Sequence, residues 1–466
     1  MAFGFFKKKE FADIIYMNGH IYTQDPAFPW ATAVACKDDR IMAVGDFDGM
    51  GEITGNDTVV VDLKEKYMFP GFIEAHGAPV LKAFEDKYLS INSEWDVEPI
   101  YDLLADYVDE CDEDVVFGYG FNEEILSRFD TPEDAHRALD EIEAERPVLL
   151  LGISGVHCWV NTLAADMINE AAEEDALEYL TTSYIINVLN PLDFDEMEHV
   201  IQEHADTLTD KGITAFFNAY APDYFSNLYL DGLLAAIGEG EGDIKQRFLG
   251  STFINRPFNP QLILHRMITA KTNCVELNNL ITADFMKLEL CEDDGPGKFS
   301  QEALETICLE AAEKGFNIHI DAKDAESTEK AVAAFDLLRN KGYKNNTFVL
   351  ASKYHQDIQG DESYLPTWPT ELADASVFSH VNTVEDAIDE LTIIAAELMG
   401  MSSELGSIEK GKRADFTVFE ENPLDQTLQR FAGMHAEMTF VDGIIVYDAE
   451  EAAADEMCDM IFGMQV

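Results

Sequence analysis

Residues 300–321 read SQEALETICLEAAEKGFNIHID. Ser300 stands where a helix N-cap is expected, because its hydroxyl can accept a hydrogen bond from a free amide of the first turn. Leu304, Ile307, Cys308 and Ala311 then recur at helical spacing. Gly315 ends the helix, since glycine tolerates the left-handed backbone that a helix terminus often adopts. The residues after it, 316–321, read as a strand. One helix followed by one strand is thus written into 22 consecutive residues. Further strands are expected at 147–151, 214–217, 285–290 and 347–350, with helical stretches between them. This β-then-α alternation runs over roughly 330 residues and predicts an α/β fold built on a parallel TIM-like (β/α) barrel. There is no internal repeat and no low-complexity linker.

The two ends of the chain have a different texture. Residues 13–22 read as strand, Asn18-Gly19 turn, strand. A second pair, 31–37 and 40–44, flanks Asp38-Asp39, and 58–63 is another short strand. Near the other end, 414–419 and 438–447 are rich in β-formers, the second with an Asp442-Gly443 turn. Strands from both ends can pair, so 11–66 and 406–448 are expected to form one small β-sandwich domain. The barrel then takes 67–405, and 449–466 is a C-terminal tail.

Composition limits the partners. There are 90 acidic and 31 basic residues among 466, a formal net charge of −59. Such a surface repels nucleic acid and anionic membranes, so neither is expected as a partner. The acids are spread along the chain, as on a solvated, self-repelling surface. Seven cysteines, Cys36, Cys111, Cys158, Cys274, Cys291, Cys308 and Cys458, show no C-x-x-C spacing. The odd count and the spacing argue against a disulfide framework and a structural zinc knuckle. No window reaches about 18 uncharged apolar residues. The start, MAFGFFKKKEF, lacks a signal-peptide core, and its Lys7, Lys8 and Lys9 read as a solvated beginning. A cytoplasmic location is the expectation.

Several segments, taken in order, resemble the amidohydrolase superfamily, in the branch of N-substituted formamide deformylase-like metal-dependent hydrolases. They are ADIIYMNGHIYTQD, DDRIMAVG, VVDLKEKYMFPGFIEAH, the stretch from Arg146 to Asn161, and GSIEKGKRADFTVFEENPL. The resemblance implies one or two divalent metals at the C-terminal rim of the barrel. Two histidines of the first strand, a lysine (carbamylated in many members) or a glutamate of a middle strand, and histidines of the next two strands would hold them; an uncarbamylated lysine would repel a metal ion. An aspartate of the last strand would take the proton of a metal-bound water.

Position by position, the pattern thins. His76 matches the first histidine of the pair, but Ala78 stands where the second belongs. Lys287 matches the middle-strand lysine. Asp321 falls where the next histidine is expected, and Leu350-Ala351 replaces a Glu-His pair. The terminal Ser-Asp motif is missing, and 352–385 is short for the family, so the barrel is expected to be incomplete at its last strands. His157 matches a substrate-side histidine. His319 shares a strand face with Asp321, because side chains alternate with period two.

Each residue also has a plainer role. His76 can hydrogen-bond backbone, Lys287 can pair with Glu289 or Asp321, and His319 can be a satisfied core histidine. Cys158 beside His157 has no evident base and reads as an inert thiol. Zinc usually takes three or four N, S or O ligands, which leaves His76 and Asp321 as weak metal candidates. The leading expectation is therefore a degenerate, catalytically inactive barrel, a pseudoenzyme. Its candidate pocket is His76, His157, Lys287, His319 and Asp321; it would bind a small molecule or a partner and need no cofactor. The alternative is an active hydrolase of non-peptide carbon–nitrogen bonds, with zinc or another divalent metal in an atypical single-metal site. A homodimer packed through the apolar 460–464 is a third, non-enzymatic expectation.

Overall fold

The computed structural model describes residues 10–77, 88–92, 96–152, 157–174, 182–190, 205, 207–218, 246–254, 260–277, 280–290, 299–352, 378 and 381–454. The chain divides into two compact units. The first comprises 1–78, 205–219 and 243–466, and the second 79–204 and 220–242.

The first unit contains a parallel sheet with six strands among the described residues. Their order is Phe348–Ala351, Asn317–Ala322, Ile281–Leu290, Arg247–Ile254, Ile213–Asn218 and Phe72–Gly77. Its helices follow from local rules. Gln301–Glu313 starts at Ser300, whose hydroxyl accepts from the Ala303 amide at 3.2 Å. Gly315 follows at φ 78°, a left-handed conformation that fits glycine. Ala325–Lys341 is capped by Asp324 and ends at Gly342, φ 93°.

One face of this sheet is apolar. Met286, Leu288, Leu290, Ile318, Ile320, Ala322 and Leu350 pack with Met267, Leu304, Ile307, Phe335 and Leu338 of the helices. Phe217 and His319 define the other face: their rings meet at 5.6 Å, with Phe285 4.8 Å from Phe217. Their strands are three steps apart, which in a flat sheet is about 14 Å. The sheet is therefore curled toward that face, as a half-barrel.

An eight-stranded sheet joins the two ends of the chain. Phe416–Phe419 pairs antiparallel with Tyr67–Pro70, which pairs with Ile14–Tyr22. The Asp442-Gly443 turn forms with both residues at positive φ, 52° and 76°, as a tight hairpin needs. The Asn18-Gly19 turn does not form. Ile14–Tyr22 is one strand, paired with Trp30–Lys37 on both sides of an irregularity at Asn18, φ 57°. The reason is packing: a Cβ on Gly19 would lie 2.5 Å from the Leu63 side chain, so the glycine serves close approach rather than reversal.

The second unit has its own four-stranded sheet, in the order Cys158–Val160, Val148–Gly152, Val116–Phe121 and Leu89–Ser90. The strand read at 147–151 belongs here and not to the parallel sheet of the first unit. Its core surrounds Trp159, whose indole N–H donates to the Ala135 carbonyl at 2.8 Å. Among the described residues no helix is long and apolar enough to cross a membrane.

Candidate functional site

Alternation decides what the inner face of the curled sheet carries. Met286, Leu288 and Leu290 go to the helices, so Phe285, Lys287 and Glu289 face the other way. The neighbouring strand is in register, with Lys287 beside His319 and Glu289 beside Asp321. Glu289 and Asp321 are each one residue from the C-terminal end of their strand.

The side chains meet there. Lys287 Nζ is 3.1 Å from His319 Nδ1 and 3.5 Å from Asp321 Oδ2. Lys323, just past the strand end, reaches Asp321 at 3.0 Å and Glu289 at 3.6 Å. Lys287 is 0% exposed and His319 2%. Two ammonium and two carboxylate groups thus balance around one imidazole.

Burial weakens the hold of Lys287 on its proton, and the Asp321 charge only partly restores it. Its pKa falls from 10.5 to about 8. Lys323 goes the other way: burial opposes its charge, but Glu289 and Asp321 outweigh that and raise its pKa. As an ammonium, Lys287 donates to Nδ1, which places the imidazole proton on Nε2.

The other sequence candidates fall elsewhere. His76 is the penultimate residue of Phe72–Gly77, which stands at the end of the six-strand order; its side chain, and Ala78, lie outside the described residues. His157 is in the second unit, exposed, with its carbonyl accepting from the Gly152 amide at 2.9 Å. Ala351 lies beside Asp321 in register, so a methyl group stands where the resemblance implies a ligand.

Sequence reasoning missed two participants. Lys323 continues the 319, 321 alternation by one more step, a signal that could have found it. Phe217 comes from a distant strand through sheet curvature, which no local pattern encodes.

A profile of the amidohydrolase family matches residues 59–352 and 378–447. The chain belongs to this family. It is 27% identical over 154 residues to Protein LONG AFTER FAR-RED 3 of Arabidopsis thaliana, 33% of this chain and 26% of that protein. It is 36% identical over 66 residues to N-substituted formamide deformylase of Arthrobacter pascens, 14% of this chain and 12% of that protein. The chain therefore spans only a minor part of these curated relatives. Among solved structures it resembles an uncharacterized metal-dependent hydrolase from Pyrococcus furiosus. The TM-score is 0.59 at 16% identity, over 88% of this chain and 100% of that one, a likeness of fold.

The family's divalent metal can be tested against the donors present. Among the described residues no three His, Cys, Asp or Glu side chains converge as a metal site. His319 and Asp321 supply two donors, and a lysine nitrogen lies against both. Two ligands and an adjoining ammonium do not fit a zinc ion, which takes three or four.

Proposed function

We propose that this amidohydrolase-family chain is a catalytically silent member that keeps the scaffold and uses its cleft to bind. The observation that carries this reading is Lys287 Nζ within 3.1 Å of His319 Nδ1 and 3.5 Å of Asp321. Donors that metal chemistry would require are engaged by an amine. Ala351 beside Asp321 removes a further ligand position. Without a metal there is no Lewis acid to activate water, and this cluster alone supplies no equivalent.

The ligand is a small molecule held by the polar inner face of the curled sheet, beside Lys287, His319 and Asp321. The parallel sheet is part of a (β/α) barrel whose last strands are reduced. The eight-stranded sheet from both chain ends is the accompanying sandwich domain. The protein acts without a cofactor in the cytoplasm; the apolar 460–464, expected as a homodimer contact, lies outside the described residues.

Metal analysis of the purified protein after dialysis, with turnover assays on N-substituted formamides, tests this reading. Substoichiometric zinc, manganese and iron with no turnover is the expected result. One equivalent of metal with turnover abolished by His76→Ala would overturn it in favour of an active carbon–nitrogen hydrolase.

A further inference from the structure

An imidazole lone pair and a carboxylate converge on one nitrogen. That is the arrangement a cation requires, and the cation already present is covalently part of the chain. We infer that the Lys287 ammonium is the resident cation of this fold: it occupies the place between His319 and Asp321 that a divalent ion would need, and its removal opens a metal site.

Three observations carry this. First, the two groups approach one cationic nitrogen, Nδ1 within hydrogen-bond distance at 3.1 Å and Oδ2 as an ion pair at 3.5 Å from Nζ. An ammonium presents three N–H donors and so can satisfy both groups at once. Second, among the described residues Lys287 and Lys323 already stand against Asp321 and Glu289, two charges of each sign. A divalent ion would add uncompensated charge to a buried position, at a cost of several kcal/mol. Third, the lysine is held in place. Its strand pairs on both sides, Lys287 beside Phe253 and beside His319, and the side chain is wholly buried.

The inference rests on the proposal of a silent, metal-free site, and its test separates the two. Wild-type protein, Lys287→Arg, Lys287→His and the double variant Lys287→His with Asp321→Asn are loaded with zinc, passed through a desalting column and assayed for bound metal. Cobalt(II) spectra report the ligand field. Wild type and Lys287→Arg should retain essentially none. Lys287→His should retain about one equivalent, because three protein donors suffice for zinc. The double variant should lose it.

A Lys287→His protein that folds as wild type by circular dichroism and binds no metal overturns the inference while leaving the silent-site reading intact. A wild-type cobalt spectrum that Asp321→Asn abolishes overturns it as well. If Lys287→His fails to fold, 15N-histidine spectra of wild type decide, with the His319 signal assigned by His319→Gln. A proton on Nε2 supports the inference; a neutral His319 with its proton on Nδ1 overturns it.

Discussion

Two buried cations in the first unit invite comparison. Arg247, 3% exposed, donates to both oxygens of Asp415 at 2.8 Å and also to Asp442. Burial opposes its charge, but the two carboxylates outweigh it and raise its pKa. Lys287 is at least as buried, yet it has an imidazole at 3.1 Å and a carboxylate at 3.5 Å, and its pKa falls. The difference is in the partners. A planar guanidinium matched to a carboxylate is a fastening that joins the parallel sheet to the segment entering Phe416–Phe419. An under-compensated lysine is a strained group, and strained titratable groups mark sites.

The comparison can be broken most directly at the fastening. Arg247→Met should cost about 3–5 kcal/mol in urea denaturation, because it strands the buried Asp415 carboxylate. A loss under about 1 kcal/mol would put both cations in one class.

Next comes pH. The folded-state pKa of Lys287 lies near 8 and the ordinary value at 10.5. Between those values the unfolded chain keeps a proton that the folded chain has released, so this group's contribution to stability rises with pH across that window. The stability of wild type minus that of Lys287→Met should therefore increase from pH 8 to pH 10.5, by on the order of 1–3 kcal/mol. A flat or falling difference would show that Lys287 is as well compensated as Arg247.

The smallest effect concerns salt. With 90 acids against 31 bases, wild-type stability should rise as salt increases from roughly 0.1 M to 1 M and surface repulsion is screened. The Arg247→Met penalty should change by less than about 0.5 kcal/mol over the same range, since buried pairs are screened little. A penalty that shrinks with salt would show water reaching that pair.

The chain's own pattern stated the fold class, the positions of most strands, the Ser300 cap, the Gly315 stop and the pairing of both chain ends in one sheet. It also placed His319 and Asp321 on one strand face. These were readable because caps, turns and alternation act over a few residues. Tertiary structure alone decided that Asn18-Gly19 continues a strand, that 148–152 joins a different sheet, that Phe217 reaches His319, and that Arg247 takes Asp415, 168 residues away, as its partner. The physical reason is range. Local propensity is settled within a turn of helix or a strand, whereas the choice of a charge's partner depends on sheet curvature and burial, which exist only after the whole unit has packed.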